Sequence, residues 1–181
     1  MRAFIAVDVP EELKTKIIDI QKQFKDFDIK FVEKENFHFN LKFLGEIPDN
    51  SIEKIRKTLE DIVEKYEPFN LSIKNLGAFP SLNYIRVIWI GVSDGYNTIS
   101  ALADEIDEFL TEFVPKENRK FEPHLTIGRV RSGRNREELV KIVKRLESIE
   151  IGVMRVKEIK LMKSDLSRAG PKYTEVFSVS L

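Results

Sequence analysis

Apolar and polar residues follow two different rhythms along this chain. In four stretches the apolar residues recur every three or four positions, which predicts amphipathic helices beginning near Glu11, Asp49, Gly95 and Gly133. Between them, alternating or β-prone runs predict strands at residues 2–8, 30–33, 38–44, 69–76, 84–92, 124–132, 151–162 and 173–180. Helices interleaved with strand pairs are typical of an α+β fold with mostly antiparallel sheet.

The second half of the chain echoes the first. Lys-Glu-Asn occurs at 34–36 and again at 116–118, and each copy leads into a strand that begins with a histidine. We therefore expect two pseudo-symmetric lobes of mostly antiparallel sheet with outer helices and a groove between them. No linker rich in Pro, Gly or Ser separates the halves, so we interpret residues 1–181 as a single bilobal domain.

The two strands carry the only histidines of the chain, in matching motifs. The first motif reads His-Phe-Asn-Leu at 38–41, and the second reads His-Leu-Thr-Ile at 124–127. Successive side chains of a strand point to opposite faces, so His38 shares a face with Asn40, and the second histidine shares one with Thr126. If the strands lie side by side, two imidazoles and two hydrogen-bonding side chains line one groove.

Paired imidazoles suit acid–base chemistry on a phosphate. Histidine has an ordinary pKa of about 6.5, so one neutral ring can accept a proton while a protonated ring donates one. The residue two positions along can bind a phosphate oxygen. A lone histidine on a strand is more often a surface or core residue, but two matching copies that use both histidines argue against chance. Neither a His-Glu-x-x-His pair nor a Gly-x-Ser-x-Gly elbow is present, so we predict no metal or other cofactor and no serine nucleophile.

Basic residues follow both motifs. By strict alternation Lys42 lies on the face of His38, whereas Arg129 lies off the face of Thr126 unless a bulge or strand end turns it. We expect both cations to contact a phosphate, although a basic run such as Arg129 to Arg136 is also typical of a solvated loop. The aromatic residues divide into two predicted groups, core residues (Phe39, Phe43, Trp89) and residues near turns that can stack on a nucleobase (Phe79, Tyr84).

Composition narrows the function classes. The chain has no cysteine, which excludes disulfides, thiolate nucleophiles and cysteine-bound zinc. Thirty basic and thirty acidic residues give zero net charge, which argues against non-specific duplex binding and favours a small anion or an RNA end. No apolar run approaches the roughly 20 residues of a membrane helix, and the N-terminus is typical of a strand and not of a signal peptide. We expect a cytoplasmic monomer with no membrane partner.

The linked motifs resemble a known family. The segments are HFNLKFLGE at 38–46, GAFP at 77–80 and FEPHLTIGRV at 121–130, with MRAFIAVD at 1–8 and GPKY at 170–173. They are similar to the RNA 2′,3′-cyclic phosphodiesterases, also called 2′-5′ RNA ligases, of the 2H phosphoesterase superfamily. The resemblance covers essentially the whole chain. It implies two α+β lobes around a groove and metal-independent hydrolysis of RNA or nucleoside 2′,3′-cyclic phosphates to 2′-phosphomonoesters, with joining of tRNA halves in some members.

The resemblance also implies residue roles. His38 is expected to donate a proton to the leaving 3′ oxygen, His124 to activate water, and Thr126 to hold a phosphate oxygen. Asn40 departs from the pattern, because the family has threonine or serine there. An amide still offers an N–H donor, so phosphate binding can persist in a changed pose. The alternative function is a non-catalytic or weakly active RNA 3′-end binding protein.

Overall fold

The structure, a computed structural model, describes all residues from 1 to 181 and contains nine strands and four helices. In chain order they are β1 Arg2–Asp8, α1 Glu11–Lys22, β2 Ile29–Phe31, β3 His38–Glu46, α2 Ile52–Val63, β4 Phe69–Ser81, β5 Tyr84–Val92, α3 Tyr96–Phe109, β6 Leu125–Val130, α4 Arg136–Arg145, β7 Glu150–Val156, β8 Glu158–Ser167 and β9 Gly170–Ser180. The predicted α+β class is confirmed. No helix is both long enough and apolar enough to span a membrane.

All nine strands belong to one antiparallel sheet with pseudo-twofold order. The order is β7-β4-β5-β6-β3-β1-β8-β9, and β2 pairs with the far end of β6. The symmetry relates β3 to β6 at the centre, then β1 to β5, β8 to β4 and β9 to β7. The two central strands meet through a single residue pair, Phe39 with Leu125. The halves of the sheet therefore join at a narrow seam, and both histidines lie beside it.

One predicted strand is wrong. The alternating pattern at 151–162 predicts a single strand, but the chain leaves β7 at Val156 and starts β8 at Glu158. The first segment pairs with β4 at one edge of the sheet, and the second pairs with β1 and β9 in the other half. Buried apolar residues continue on both sides of the break, so the pattern does not reveal that Lys157 marks a crossing between halves.

The helices cover one face of the sheet and tie its halves together. Helix α1 follows β1 but packs on β6 and β7 of the other half, and α3 follows β5 but packs on β3. Helix α2 packs on β9, and α4 packs on β4. Fully buried side chains such as Ile17 of α1 and Ile106 of α3 contribute roughly 1.5–3 kcal/mol each to this packing. The opposite face, along the central seam, is left for a groove.

Candidate active site

The groove along the seam contains most of the predicted site residues. It has a volume of about 900 Å³ and is lined by β1, β2, β3, the start of β6 and the β8–β9 hairpin. His38, Asn40, His124, Thr126 and Arg129 all line it. The fold thus brings together the two motifs, which lie 86 positions apart in the sequence.

A β-bulge in the first motif decides which side chains face the groove. The β1–β3 pairing runs from Ala6 opposite Asn40 to Ile5 opposite Lys42, so Leu41 is an extra residue in the ladder. A bulge residue shifts the alternation by one position up to the next irregularity. Lys42 and Phe43 therefore point to the faces opposite to those that strict alternation predicts, and a second irregularity follows at Leu44, between the pairs Phe4–Phe43 and Ala3–Gly45.

The second motif has a bulge at the equivalent position. Trp89 pairs with Thr126 and Ile88 pairs with Gly128, which leaves Ile127 as the extra residue. The carbonyl oxygen of Ile127 accepts hydrogen bonds from the backbone N–H of Val32 at 3.0 Å and from Gln21 Nε2 at 2.9 Å. The bulge turns Arg129 into the groove, which strict alternation does not predict.

The prediction that Lys42 contacts the phosphate is wrong. Its side chain is 1% exposed and lies on the helix-covered face of the sheet. The ammonium group donates to Asp107 Oδ1 of α3 at 2.5 Å and to the carbonyl oxygen of Pro115 at 3.1 Å. The bulge at Leu41 is the physical reason, because it rotates Lys42 away from His38 and Asn40.

The same bulge exposes an aromatic ring that the sequence pattern assigns to the core. Phe43 lines the groove and is 42% exposed. The guanidinium carbon of Arg2 lies 5.1 Å from the centre of its ring, a cation–π distance. Counting from each histidine, Phe43 occupies the position that Arg129 occupies in the second motif. One strand therefore presents a ring to the groove and the other presents a cation.

Both imidazoles are held by the same backbone contact. Nδ1 of His38 donates to the carbonyl oxygen of Asn36 at 2.7 Å, and Nδ1 of His124 donates to that of Glu122 at 2.7 Å. A carbonyl oxygen only accepts, so each Nδ1 carries the hydrogen. In the neutral ring this leaves the lone pair on Nε2, where a substrate proton can be taken up or released.

Aromatic rings pack against one side of each histidine. Phe4 lies 5.0 Å and Tyr173 lies 5.4 Å from His38, measured between ring centroids. Phe79 lies 5.0 Å from His124 in an edge contact. Tyr84 does not line the groove, and Phe79 packs against the histidine and Trp89, so neither is placed as the predicted stacking platform. Phe4 and Tyr173 lie in two of the segments that carry the family resemblance, but alternation along the chain does not predict their contact with His38, because it arises from sheet pairing.

Burial lowers the pKa of both histidines. For His38, the carbonyl of Asn36 and the charge of Asp8 oppose this effect, and the neighbouring His124 adds to it. For His124, desolvation is again the largest cause, the backbone and side chain of Glu122 oppose it, and the Arg129 cation lowers the pKa further. Both pKa values lie below the ordinary 6.5, so burial favours the neutral form of each ring in the free protein. We expect a bound anion to oppose this effect, because a nearby negative charge favours the protonated imidazole.

The β8–β9 hairpin forms one rim of the groove and is attached across it. Lys30 Nζ of β2 donates to the carbonyl oxygen of Ala169 at 3.3 Å, and Asn36 Nδ2 donates to that of Pro171 at 3.1 Å. Lys172 and Arg2 add positive charge to the lining. No group of three or more His, Cys, Asp or Glu side chains with metal-binding geometry occurs in the chain.

Known proteins with similar sequences span the whole chain. The family model of the 2′-5′ RNA ligase superfamily matches residues 3–168. An RNA 2′,3′-cyclic phosphodiesterase of Methanothermobacter thermautotrophicus is 41% identical over 178 residues, covering 97% of this chain and 96% of the relative. One of Methanocaldococcus jannaschii is 42% identical over 173 residues and covers 96% of each chain. The crystal structure of E. coli LigT complexed with 3′-AMP superposes with a TM-score of 0.81 at 25% identity, covering 99% of this chain and 97% of that one.

Proposed function

The chain belongs to the 2′-5′ RNA ligase superfamily, and from this premise we propose that it is a metal-independent RNA 2′,3′-cyclic phosphodiesterase. One observation carries the mechanism: two imidazoles line one groove, each with Nδ1 bound to a backbone carbonyl and Nε2 available. Acid–base catalysis then requires one neutral ring, which accepts a proton, and one protonated ring, which donates one. The names of the relatives point to the same substrate class.

The reaction is an in-line displacement at phosphorus. Nε2 of neutral His124 accepts a proton from water while the water oxygen forms a bond to phosphorus. The bond between phosphorus and the 3′ oxygen breaks, and Nε2–H of protonated His38 gives its proton to that oxygen. The products are a 2′-phosphomonoester and a 3′-hydroxyl. Proton transfer from His124 to His38 through solvent restores the starting state.

The other groove residues bind the charged and apolar parts of the substrate. Arg129 and the Thr126 hydroxyl donate to phosphate oxygens, and Asn40 Nδ2 replaces the hydroxyl of the first motif. The exposed face of Phe43 stacks on the terminal base. Positive charge on the groove wall stabilises the additional negative charge that develops at phosphorus in the transition state.

The test is turnover of a nucleoside 2′,3′-cyclic phosphate in EDTA by the wild-type protein, His38→Ala and His124→Ala. We expect activity in EDTA and a loss of at least about 100-fold in kcat for each variant, the range of positioned acid–base catalysis. In the wild type, kcat/KM is expected to be bell-shaped with its maximum below pH 6.5, because burial lowers both histidine pKa values. Full activity in either variant, or none in EDTA, contradicts the mechanism.

Two further functions remain as proposals with their own discriminating measurements. A 5′-hydroxyl in place of water makes a 2′-5′ bond by the same steps, so tRNA halves are a second substrate class. Measured rates of joining and of hydrolysis on such halves separate ligation from hydrolysis.

A non-catalytic end binder is favoured only by Asn40, whose Oδ1 is buried without a hydrogen-bond partner. That function predicts affinity for cyclic-phosphate ends with no product formed.

A further inference from the structure

A second cavity lies next to the groove, on the other side of Phe43. Its volume is about 510 Å³, and it lies between the end of β3 and the segment that connects α3 to His124. Phe43 and Gly45 form one wall, and Lys116, Asn118 and Arg119 form the other. Phe43 is the side chain that lines both cavities. A chain bound in the groove therefore reaches this pocket by passing the Phe43 ring.

The far wall of the pocket is built before any ligand binds. Lys42, which the bulge turns away from the groove, donates to Asp107 and to the carbonyl oxygen of Pro115. The backbone N–H of Glu117 donates to both carboxylate oxygens of Asp107 at 3.1 Å. These bonds fix the segment at 115–117, directly before Asn118 and Arg119, and a fixed segment lowers the entropic cost of ordering this wall when a ligand binds.

The free groups of the pocket match the parts of a nucleotide. Arg119 is exposed and forms no ion pair, whereas Lys116 is paired with Glu108. A free guanidinium binds a phosphodiester oxygen pair in a bidentate fashion. The Asn118 amide offers both a donor and an acceptor to a base edge, and the Phe43 ring, which stacks on the terminal base, lies at the entrance. The pocket therefore provides a contact for a phosphate and one for a base edge.

We propose that this pocket binds the nucleotide on the 5′ side of the terminal cyclic phosphate, with Arg119 on the phosphodiester that joins the two nucleotides. The proposal rests on the proposed function and sharpens it. The substrate class becomes RNA ends of at least two nucleotides, and a cyclic mononucleotide fills only the groove. The Lys42–Asp107 ion pair then acts in recognition by holding the pocket wall.

The experiment compares the affinities of two product ligands by calorimetry, adenosine 2′-phosphate and the dinucleotide ApA carrying a 2′-phosphate at its 3′-terminal nucleotide. We expect the wild type to bind the dinucleotide about tenfold more tightly, because one charge-assisted contact contributes about 1.5–3 kcal/mol, or tenfold and more. Arg119→Ala removes that difference and leaves mononucleotide affinity unchanged. Arg134→Ala, an exposed arginine outside the pocket, is the matched control and keeps the difference.

A blocking variant checks the pocket independently of charge. Asn118→Trp places a large ring in the cavity and is expected to abolish the dinucleotide preference as well. Equal affinities for the two ligands in the wild type, or a preference that survives both variants, overturns the proposal. Because the readout is binding, failure of the hydrolytic mechanism is seen separately, as absent turnover in a protein that still binds the dinucleotide more tightly.

Discussion

The two histidine strands share a backbone plan and differ in the polar and aromatic side chains at their third, fifth and sixth positions. Each begins with an imidazole held by the carbonyl two residues earlier, continues with a hydrogen-bonding residue and bulges at the fourth position. The sixth position is Phe43 in the first strand and Arg129 in the second, and both side chains line the groove. In the proposed mechanism, the repeated scaffold positions two equivalent imidazoles while its two sixth positions bind different parts of the substrate, a base on one side and a phosphate on the other.

The fifth position differs just as sharply, on the opposite face of the sheet. Lys42 is buried in an ion pair with α3, whereas Gly128 pairs with Phe31 of β2. A Cβ atom on Gly128 would lie 2.7 Å from Cγ2 of Ile29, so a side chain there requires Ile29 to move. In the first strand, Lys42 at this position holds the loop after α3 through the carbonyl oxygen of Pro115. In the second strand, Gly128 leaves room for β2 to pair.

The largest expected difference is between the two histidine variants, His38→Ala and His124→Ala. It is seen when kcat is compared on two substrates whose leaving groups differ in their need for a proton. On a 2′,3′-cyclic phosphate, His38→Ala and His124→Ala are both expected to lose at least about 100-fold in kcat. On a 3′-deoxynucleoside 2′-(p-nitrophenyl phosphate), which has no 3′-hydroxyl to attack phosphorus internally and whose leaving group departs without a proton, His38→Ala should recover most of its loss and His124→Ala should not. The measurement is kcat for both substrates in both variants. Equal losses on the two substrates contradict the assignment of acid and base.

The next prediction concerns Lys42 and the stability of the fold. Lys42→Met leaves Asp107 buried without its cation, which costs about 3–5 kcal/mol of unfolding free energy. Denaturant unfolding measures the loss, and Tm should fall by roughly 2–4 °C per kcal/mol for a chain of this size. The matched control is Lys54→Met, whose ion pair with Glu112 has the same 2.5 Å separation but is exposed, so it contributes about 1 kcal/mol or less. Equal losses contradict the role of burial.

Lys42 also marks where sequence reasoning stops. Periodicity predicts the four helices, the α+β class and the two histidine strands, because apolar burial imposes those patterns. The bulge at Leu41 reverses the facing of the residues directly after it, so strict alternation places Lys42 on the wrong face and Phe43 in the core. The break at Lys157 is hidden in the same way, since both strands beside it are half buried. The ring contacts of Tyr173 with His38 depend on long-range pairing.

A smaller difference is predicted between the sixth positions, Phe43 and Arg129, whose replacement should change different kinetic constants. Arg129→Ala should lower kcat on a cyclic nucleotide by roughly 100-fold, because a donor to the transition-state phosphate is lost. Phe43→Ala should raise KM by roughly 5- to 100-fold with little change in kcat, because stacking binds substrate and transition state equally. Ribose 2′,3′-cyclic phosphate, which lacks a base, is the control substrate. An effect of Phe43→Ala on this substrate contradicts the stacking role.

The smallest expected effect concerns the third positions, Asn40 and Thr126. Asn40 Oδ1 is buried without a partner, so Asn40→Thr should gain about 1–3 kcal/mol of stability and raise kcat/KM by a few fold, since the hydroxyl rotates to suit both phosphate and scaffold. Thr126→Asn should lower kcat/KM. The double exchange, Asn40→Thr with Thr126→Asn, is decisive for the symmetry. If the strands are equivalent toward the phosphate, the exchanged protein matches the wild type. If the nucleophile side requires the hydroxyl, it matches Thr126→Asn, and the asymmetry of the groove lies in its catalytic groups as well as in its recognition groups.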